Sequence, residues 1–257
     1  MKKLLVFPLL VLMLACDKKE DSDDKIIVPL TGEYLIEQID VVYSNNISFS
    51  KNYYYKNDDE LAEVSSLNGT EEYTYENGFI TKIKYTAQPS GAIDERFFTY
   101  NNDGKLTQEV KLYYTNSVGE RLVFSYPNET TVTFDRFGGD LTSQTTLEAH
   151  GVYGLEAGSY NILEQTETTT GENPISRVLT YTYDNKKSVT HGIKDNMKGF
   201  EYLFSGENNV ASFSFKLNNL DVYHYSSTFM YNKDIYPTSE SQTDQNGDIN
   251  AYSFYYQ

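Results

Sequence analysis

Tyr73-Thr74-Tyr75-Glu76-Asn77-Gly78-Phe79-Ile80-Thr81-Lys82-Ile83 reads as a complete β-hairpin. Alternate side chains of a strand point to opposite faces, so Tyr73 and Tyr75 share one face and Phe79, Thr81 and Ile83 share a face on the return. Asn77-Gly78 between them is the residue pair that a two-residue hairpin turn selects, because both central positions need positive φ. The period is two rather than 3.6, which specifies strands and not a helix.

The same pattern recurs on both sides. Phe98-Thr99-Tyr100-Asn101-Asn102-Asp103-Gly104-Lys105-Leu106 leads into Gln108, Val110 and Leu112 at period two, and Leu179-Thr180-Tyr181-Thr182-Tyr183-Asp184-Asn185 returns through Val189, His191 and Ile193. Weaker copies begin at Tyr53, Phe124, Tyr202 and Phe229. Taking the last aromatic of each copy as its anchor gives Tyr55, Tyr75, Tyr100, Tyr126, Tyr183, Phe204 and Tyr231, at steps of 20, 25, 26, 57, 21 and 27 residues. A step of that size fits two strands and two turns, and the long step points to one degenerate copy, for which Phe134-Asp135-Arg136-Phe137-Gly138-Gly139-Asp140-Leu141 is the candidate. The composition agrees: 24 Tyr and 14 Phe in 257 residues, with no Trp.

Tyr100-Asn101-Asn102-Asp103-Gly104-Lys105-Leu106 and Tyr183-Asp184-Asn185 resemble the YD repeat of Rhs-type proteins and the related hairpin repeats of Bacteroidota lipoproteins. Lys105 stands where that pattern prefers Arg, and several copies lack the turn glycine. The resemblance implies a meandering antiparallel sheet and not an Rhs activity. The expected fold is all-β, a sheet of repeated hairpins that is open, rolled or barrel-like, with very little helix. Residues 29–257 form one domain. Ile26 to Phe49 reads as one or two starting strands that cap the sheet. Leu147 to Leu155 has room for a helical turn or two, and Tyr252 to Tyr256 is a candidate open edge.

The N-terminus reads as a targeting segment. Lys2 and Lys3 precede an apolar run from Leu4 to Leu14, too short to span a bilayer comfortably. Met13-Leu14-Ala15-Cys16 resembles the lipobox of bacterial lipoproteins, which implies a signal peptide over residues 1–15 and lipidation at Cys16, the only cysteine. Residues 16–28 then form an acidic tether. Asp17, Lys18, Lys19, Glu20, Asp21, Asp23 and Asp24 are similar to the export signal that sends Bacteroidota lipoproteins to the cell surface; a plain solvated spacer is the alternative. With Cys16 lipidated, the domain has no thiol for a disulfide, a metal site or a nucleophile.

Loss of Lys2 and Lys3 with the leader takes the net charge from -16 to -18, a surface that repels phosphate backbones, so nucleic acid is not an expected partner. There is no phosphate-binding glycine loop, zinc-protease motif or nucleophile elbow. His150, His191 and His224 are scattered, with His191 expected to face the core, and no cofactor or metal is expected. Asp244-Gln245-Asn246-Gly247-Asp248 reads as a hairpin turn rather than a calcium loop. The tyrosines are expected to pack the sheet with their hydroxyls in water, some on a concave face open to a protein, peptide or glycan. The leading expectation is a non-enzymatic lipoprotein held at the outer membrane by its lipid, at the cell surface or on the periplasmic face. An envelope carrier or assembly factor for lipid or outer-membrane protein is the alternative, with a polysaccharide-processing enzyme third.

Overall fold

The computed structural model describes residues 34–57, 60–193 and 207–257. Among these residues there are sixteen strands and no helix. They are β1 (Ile36–Val42), β2 (Ser48–Asn57), β3 (Glu60–Ser66), β4 (Gly69–Glu76), β5 (Phe79–Ala87), β6 (Ile93–Tyr100), β7 (Leu106–Tyr113) and β8 (Val118–Asn128), followed by β9 (Thr131–Gly139), β10 (Gln144–Leu155), β11 (Ile162–Thr169), β12 (Ser176–Lys187), β13 (Asn208–Leu217), β14 (Leu220–Tyr231), β15 (Pro237–Asp244) and β16 (Ile249–Tyr256). Each pairs antiparallel with its neighbours in sequence, and β16 pairs with β1, which closes the sheet into a barrel. Of the open, rolled and closed forms that a hairpin meander allows, the chain adopts the closed one.

The hairpin quoted first is β4–β5. Tyr73 lies opposite Ile83, and Tyr75 opposite Ile80 across a bulge. Asn77 and Gly78 take φ of 53° and 81°, the left-handed pair that this turn requires. Tyr73 and Tyr75 face the barrel interior, while Thr74 and Glu76 are exposed on the outer wall.

Repetition of this unit builds a ring at one end of the barrel. Seven of the eight even-numbered strands carry an inward tyrosine there (Tyr55, Tyr75, Tyr100, Tyr126, Tyr183, Tyr231, Tyr256), and most odd-numbered strands begin there on an aliphatic residue. Ile36, Leu61, Ile80, Leu106 and Val132 are each at most 1% exposed. Burial of each contributes about 1.5–3 kcal/mol. The tyrosine hydroxyls are not left in water: Tyr55, Tyr100, Tyr126, Tyr183 and Tyr256 donate to the carbonyls of Ile36, Ile80, Leu106, Ile162 and Pro237 at 2.7–2.9 Å. Each bond ties the end of one strand to the start of the strand before it. Such a bond contributes about 1 kcal/mol net, and it keeps a carbonyl at the barrel rim from being buried unpaired.

The repeat is therefore real, but its copies are distributed differently from the sequence expectation. The degenerate copy is β10–β11, where Leu155 stands in the tyrosine position opposite Ile162. Phe134 to Leu141 instead lies mostly in β9, the return strand of the Tyr126 copy. Tyr256 ends a further copy that the anchors omitted, and the copy anchored at Phe204 lies outside the described residues, as do residues 1–33. Leu147 to Leu155 is strand throughout. The starting strand does not cap the sheet but closes it, so Tyr252 to Tyr256 is no open edge: it is paired on one side with β1 and on the other with β15. The Asp244–Asp248 turn is confirmed, with Asp248 N–H donating to Asp244 Oδ1 at 2.9 Å.

The ring end is closed from within. After β12 the chain turns rather than continuing as the expected return strand: His191 N–H donates to the Ser188 carbonyl and Ile193 N–H to that of Thr190. Ile193 and Val189 pack against Ile36, Leu61 and Phe254. Gly192 lies so close to the Tyr34 carbonyl that a Cβ would sit 2.3 Å from it, so only glycine fits there. Tyr236 packs edge-on against Tyr34 and Tyr256.

The outer wall is polar across β12–β15 and mixed across β6–β10, where Phe97, Val110, Leu112, Val123, Phe137 and Val152 alternate with polar residues. Glu72 pairs with Lys84 across β4–β5, and Lys82 with Glu95 across β5–β6. On β12–β13 the hydroxyls of Thr180 and Ser214, and of Thr182 and Ser212, lie 2.6 Å apart. Serine and threonine continue outward through Ser226, Thr228, Ser239, Ser241 and Ser253.

Candidate functional site

One step below the ring, the inward side chains are predominantly aromatic. Phe134 packs on Tyr153 at 5.0 Å between ring centroids, and Tyr181, Phe213 and Tyr225 form a continuous row with spacings of 5.2 and 5.3 Å. Gly151 leaves the space for the Phe134 ring, since a Cβ there would meet it at 2.0 Å. Two acids interrupt this layer among the described residues, Glu109 opposite Phe98 and Glu240 between Phe229 and Tyr252.

Their surroundings differ. Glu109 is fully buried, accepts a 2.7 Å hydrogen bond from Arg96 Nε, and has Lys111 Nζ at 3.7 Å. It belongs to a belt of inward charges that runs along half the wall. Lys111 reaches Glu120 at 3.3 Å, Arg136 contacts Glu120, Glu148 and Glu167 at 2.9–3.4 Å, and Arg177 meets Glu167 at 3.4 Å. Burial works against the Arg136 charge, but its three carboxylates more than compensate and hold the guanidinium pKa above its usual value.

Glu240 has no such partner. It accepts a 2.5 Å hydrogen bond from Ser227 Oγ, and no cation lies within ion-pair distance of it among the described residues. Burial raises its carboxyl pKa above the ordinary value, against the opposing effect of the serine hydroxyl. Its charge acts on the neighbouring phenols too: burial first and then Glu240 push Tyr252 up to about 12.

Glu240 lines a cavity of ≈ 550 Å³ in the lumen. Its apolar wall comes from Ile39, Val41, Tyr53, Val64, Tyr73, Tyr252 and Phe254, on strands from both sides of the β1–β16 seam. Val189 and Thr190 of the inner turn border it, as do Asn68 and Gly69. Among the described residues the buried Thr190 hydroxyl has no hydrogen-bond partner. The other charged liners are Lys51 and Glu71, the latter accepting the Tyr73 hydroxyl at 2.6 Å. Burial, with the Glu71 charge second, raises the pKa of both Tyr53 and Tyr73.

Cys16 and the expected export-signal residues Asp17, Lys18, Lys19, Glu20, Asp21, Asp23 and Asp24 lie outside the described residues. His150 faces outward and pairs with Asp135 at 2.6 Å, His224 is on the outer wall, and His191 packs on Tyr236. The three are not brought together. Sequence reading missed the Glu240 site. Its alternation with Ser239 and Ser241 marks it as facing opposite to those serines, but the missing counter-charge depends on strands far away in sequence.

The architecture is that of a sixteen-strand antiparallel barrel with an aromatic lumen. No known family and no curated protein matches the chain. Among solved structures it is similar to a porin-like protein from Bacteroides vulgatus ATCC 8482, with a TM-score of 0.60 and 10% identity over 88% of this chain and 99% of that one. It is also similar to a porin-like protein from Bacteroides uniformis ATCC 8492, with a TM-score of 0.51 and 10% identity over 86% and 96% of the two chains. At that identity the likeness is one of fold.

Proposed function

We propose that this protein is a non-enzymatic binding barrel of the cell envelope, held at the membrane by a lipid on Cys16, which carries a small amphipathic molecule in its lumen. One observation carries the reading, the sense of the wall. A barrel that spans a bilayer turns an apolar band outward and a polar face to its channel. Across β12–β15 serine and threonine face outward and tyrosine and phenylalanine inward, whereas across β6–β10 Phe97, Val110, Leu112, Val123, Phe137 and Val152 face outward between polar residues and the charged belt faces inward, so no apolar band circles the barrel. A Ser/Thr wall in hydrocarbon would bury hydroxyls at a cost of several kcal/mol each, whereas in water it costs nothing. The closed ring end and the inner turn at residues 188–193 also argue against an open channel.

Tyr53, Tyr73, Tyr85 and Tyr252 line the cavity, which favours a ligand held inside over one bound outside. The porin-like neighbours are consistent with an envelope setting; the pore suggested by their description is not carried over. Two measurements test the reading. Purified full-length protein added to planar bilayers should give no conductance steps. In solution it should take up the uncharged probe N-phenyl-1-naphthylamine saturably, with displacement by dodecanol. Conductance steps, or no uptake, would overturn it, and hydrolytic turnover of polysaccharide by the pure protein would overturn its non-enzymatic part.

A further inference from the structure

We infer that the lumenal site around Glu240 selects amphiphiles with a positively charged head, an organic ammonium seated on the Glu240 carboxylate among tyrosine rings. This rests on the reading of the lumen as a carrier site and names the class of its ligand.

The two acids of the aromatic layer make the case. Glu109 is neutralised within the protein by Arg96 and Lys111. Glu240, at the same depth, has a serine hydroxyl and no cation among the described residues, and it borders the ≈ 550 Å³ cavity. A desolvated carboxylate without a counter-charge is costly, and a ligand that brings the missing charge recovers that cost on binding. The neighbours suit such a ligand. Phe229 and Tyr252 flank Glu240 on adjacent strands, and Tyr53 and Tyr73 line the same cavity. Electron-rich ring faces attract ammonium groups and do not attract carboxylate or sulfate heads. The apolar wall formed by Ile39, Val41, Val64 and Phe254 provides for an alkyl tail. Among the described residues that line this cavity, Lys51 is the one base, against the two acids Glu71 and Glu240, so their charges sum to a net negative value.

The test compares four probes of equal chain length, each below its micelle threshold: dodecylammonium, dodecyltrimethylammonium, dodecanol and dodecyl sulfate. Affinities for full-length protein are read by competition with N-phenyl-1-naphthylamine. Either ammonium should bind roughly tenfold more tightly than dodecanol, the product of an ion pair and ring contacts. Glu240→Gln should bring ammonium and alcohol to within about twofold of each other. Lys51→Met should keep the ammonium preference or strengthen it. Equal binding of ammonium and alcohol by the wild type, or a preference that survives Glu240→Gln, would overturn the inference while leaving the carrier reading intact. So would a preference for dodecyl sulfate that Lys51→Met abolishes. If none of the four displaces the probe, the carrier reading fails along with it.

Discussion

Glu240 is a residue whose local environment works against the stability of the empty protein. Its folded carboxyl has a raised pKa because burial disfavours the charge. Between the ordinary glutamate value and that raised one, the folded state holds a proton that the unfolded chain has lost. Stability therefore falls as pH rises through this window and stays lower above it. The groups facing Glu240 are Lys51, Glu71, Tyr53, Tyr73 and Tyr252 in the cavity and Tyr225 and Tyr231 on the neighbouring strand. The phenols stay protonated across the window, so the pH dependence assigned to Glu240 is the part that Glu240→Gln removes. At pH 7.5 this variant should raise Tm by about 2–4 °C, the shift that corresponds to roughly 1 kcal/mol in a domain of this size. Calorimetry of the two proteins from pH 4 to 8 checks it: their Tm values should converge toward acid. A residue whose removal stabilises the fold but weakens ligand binding is the signature of a group retained for function.

At the scale of elements, the hairpin is both the unit that sequence reveals and the unit that carries the charged belt. Tyr73 to Ile83 was legible because alternation and an Asn-Gly turn are local signals. So were the copies ending at Tyr55, Tyr100, Tyr126, Tyr183 and Tyr231. The β10–β11 copy was not, because Gly151 and Gly154 dilute its strand character and Leu155 replaces the tyrosine. Nor was the belt, since Arg136 meets Glu167 only through pairing across β9, β10 and β11. Arg136 holds three carboxylates, two of them on strands adjacent to its own. Arg136→Met should leave inward charges uncompensated and cost about 3–5 kcal/mol, read by urea unfolding. Truncating Glu148, the most exposed of its partners, should cost about 1 kcal/mol or less.

For the whole molecule, the feature hidden from sequence was closure. Nothing in Ile36 to Val42 or in Ile249 to Tyr256 announces the other as its partner, since alternation fixes which face a strand shows and not which strand lies beside it. The inward direction of the tyrosines was hidden for the same reason: the sequence shows two faces, and curvature decides which becomes the lumen. Once β16 meets β1, each strand has two neighbours and the sheet has no edge to attract another chain.

That seam has a further consequence. Leu35 and Gln257 exchange backbone hydrogen bonds at 2.9 and 3.3 Å, so the described chain begins and ends at one spot on the rim. In hydrogen-bonding terms the barrel has no first strand, and the present break between β16 and β1 is one of sixteen possible positions. A circular permutant that joins Gln257 to Tyr34 through a short Gly-Ser linker and opens the chain between the exposed Asn102 and Asp103 should fold to the same barrel and bind the same probe. In the natural order, the β1–β16 pairing closes the longest loop in the molecule. In the permutant it becomes a local hairpin contact, and the pairing of β6 with β7 takes over as the long-range step. Comparing the refolding rates of the two would show whether joining the seam is the slow event in assembly.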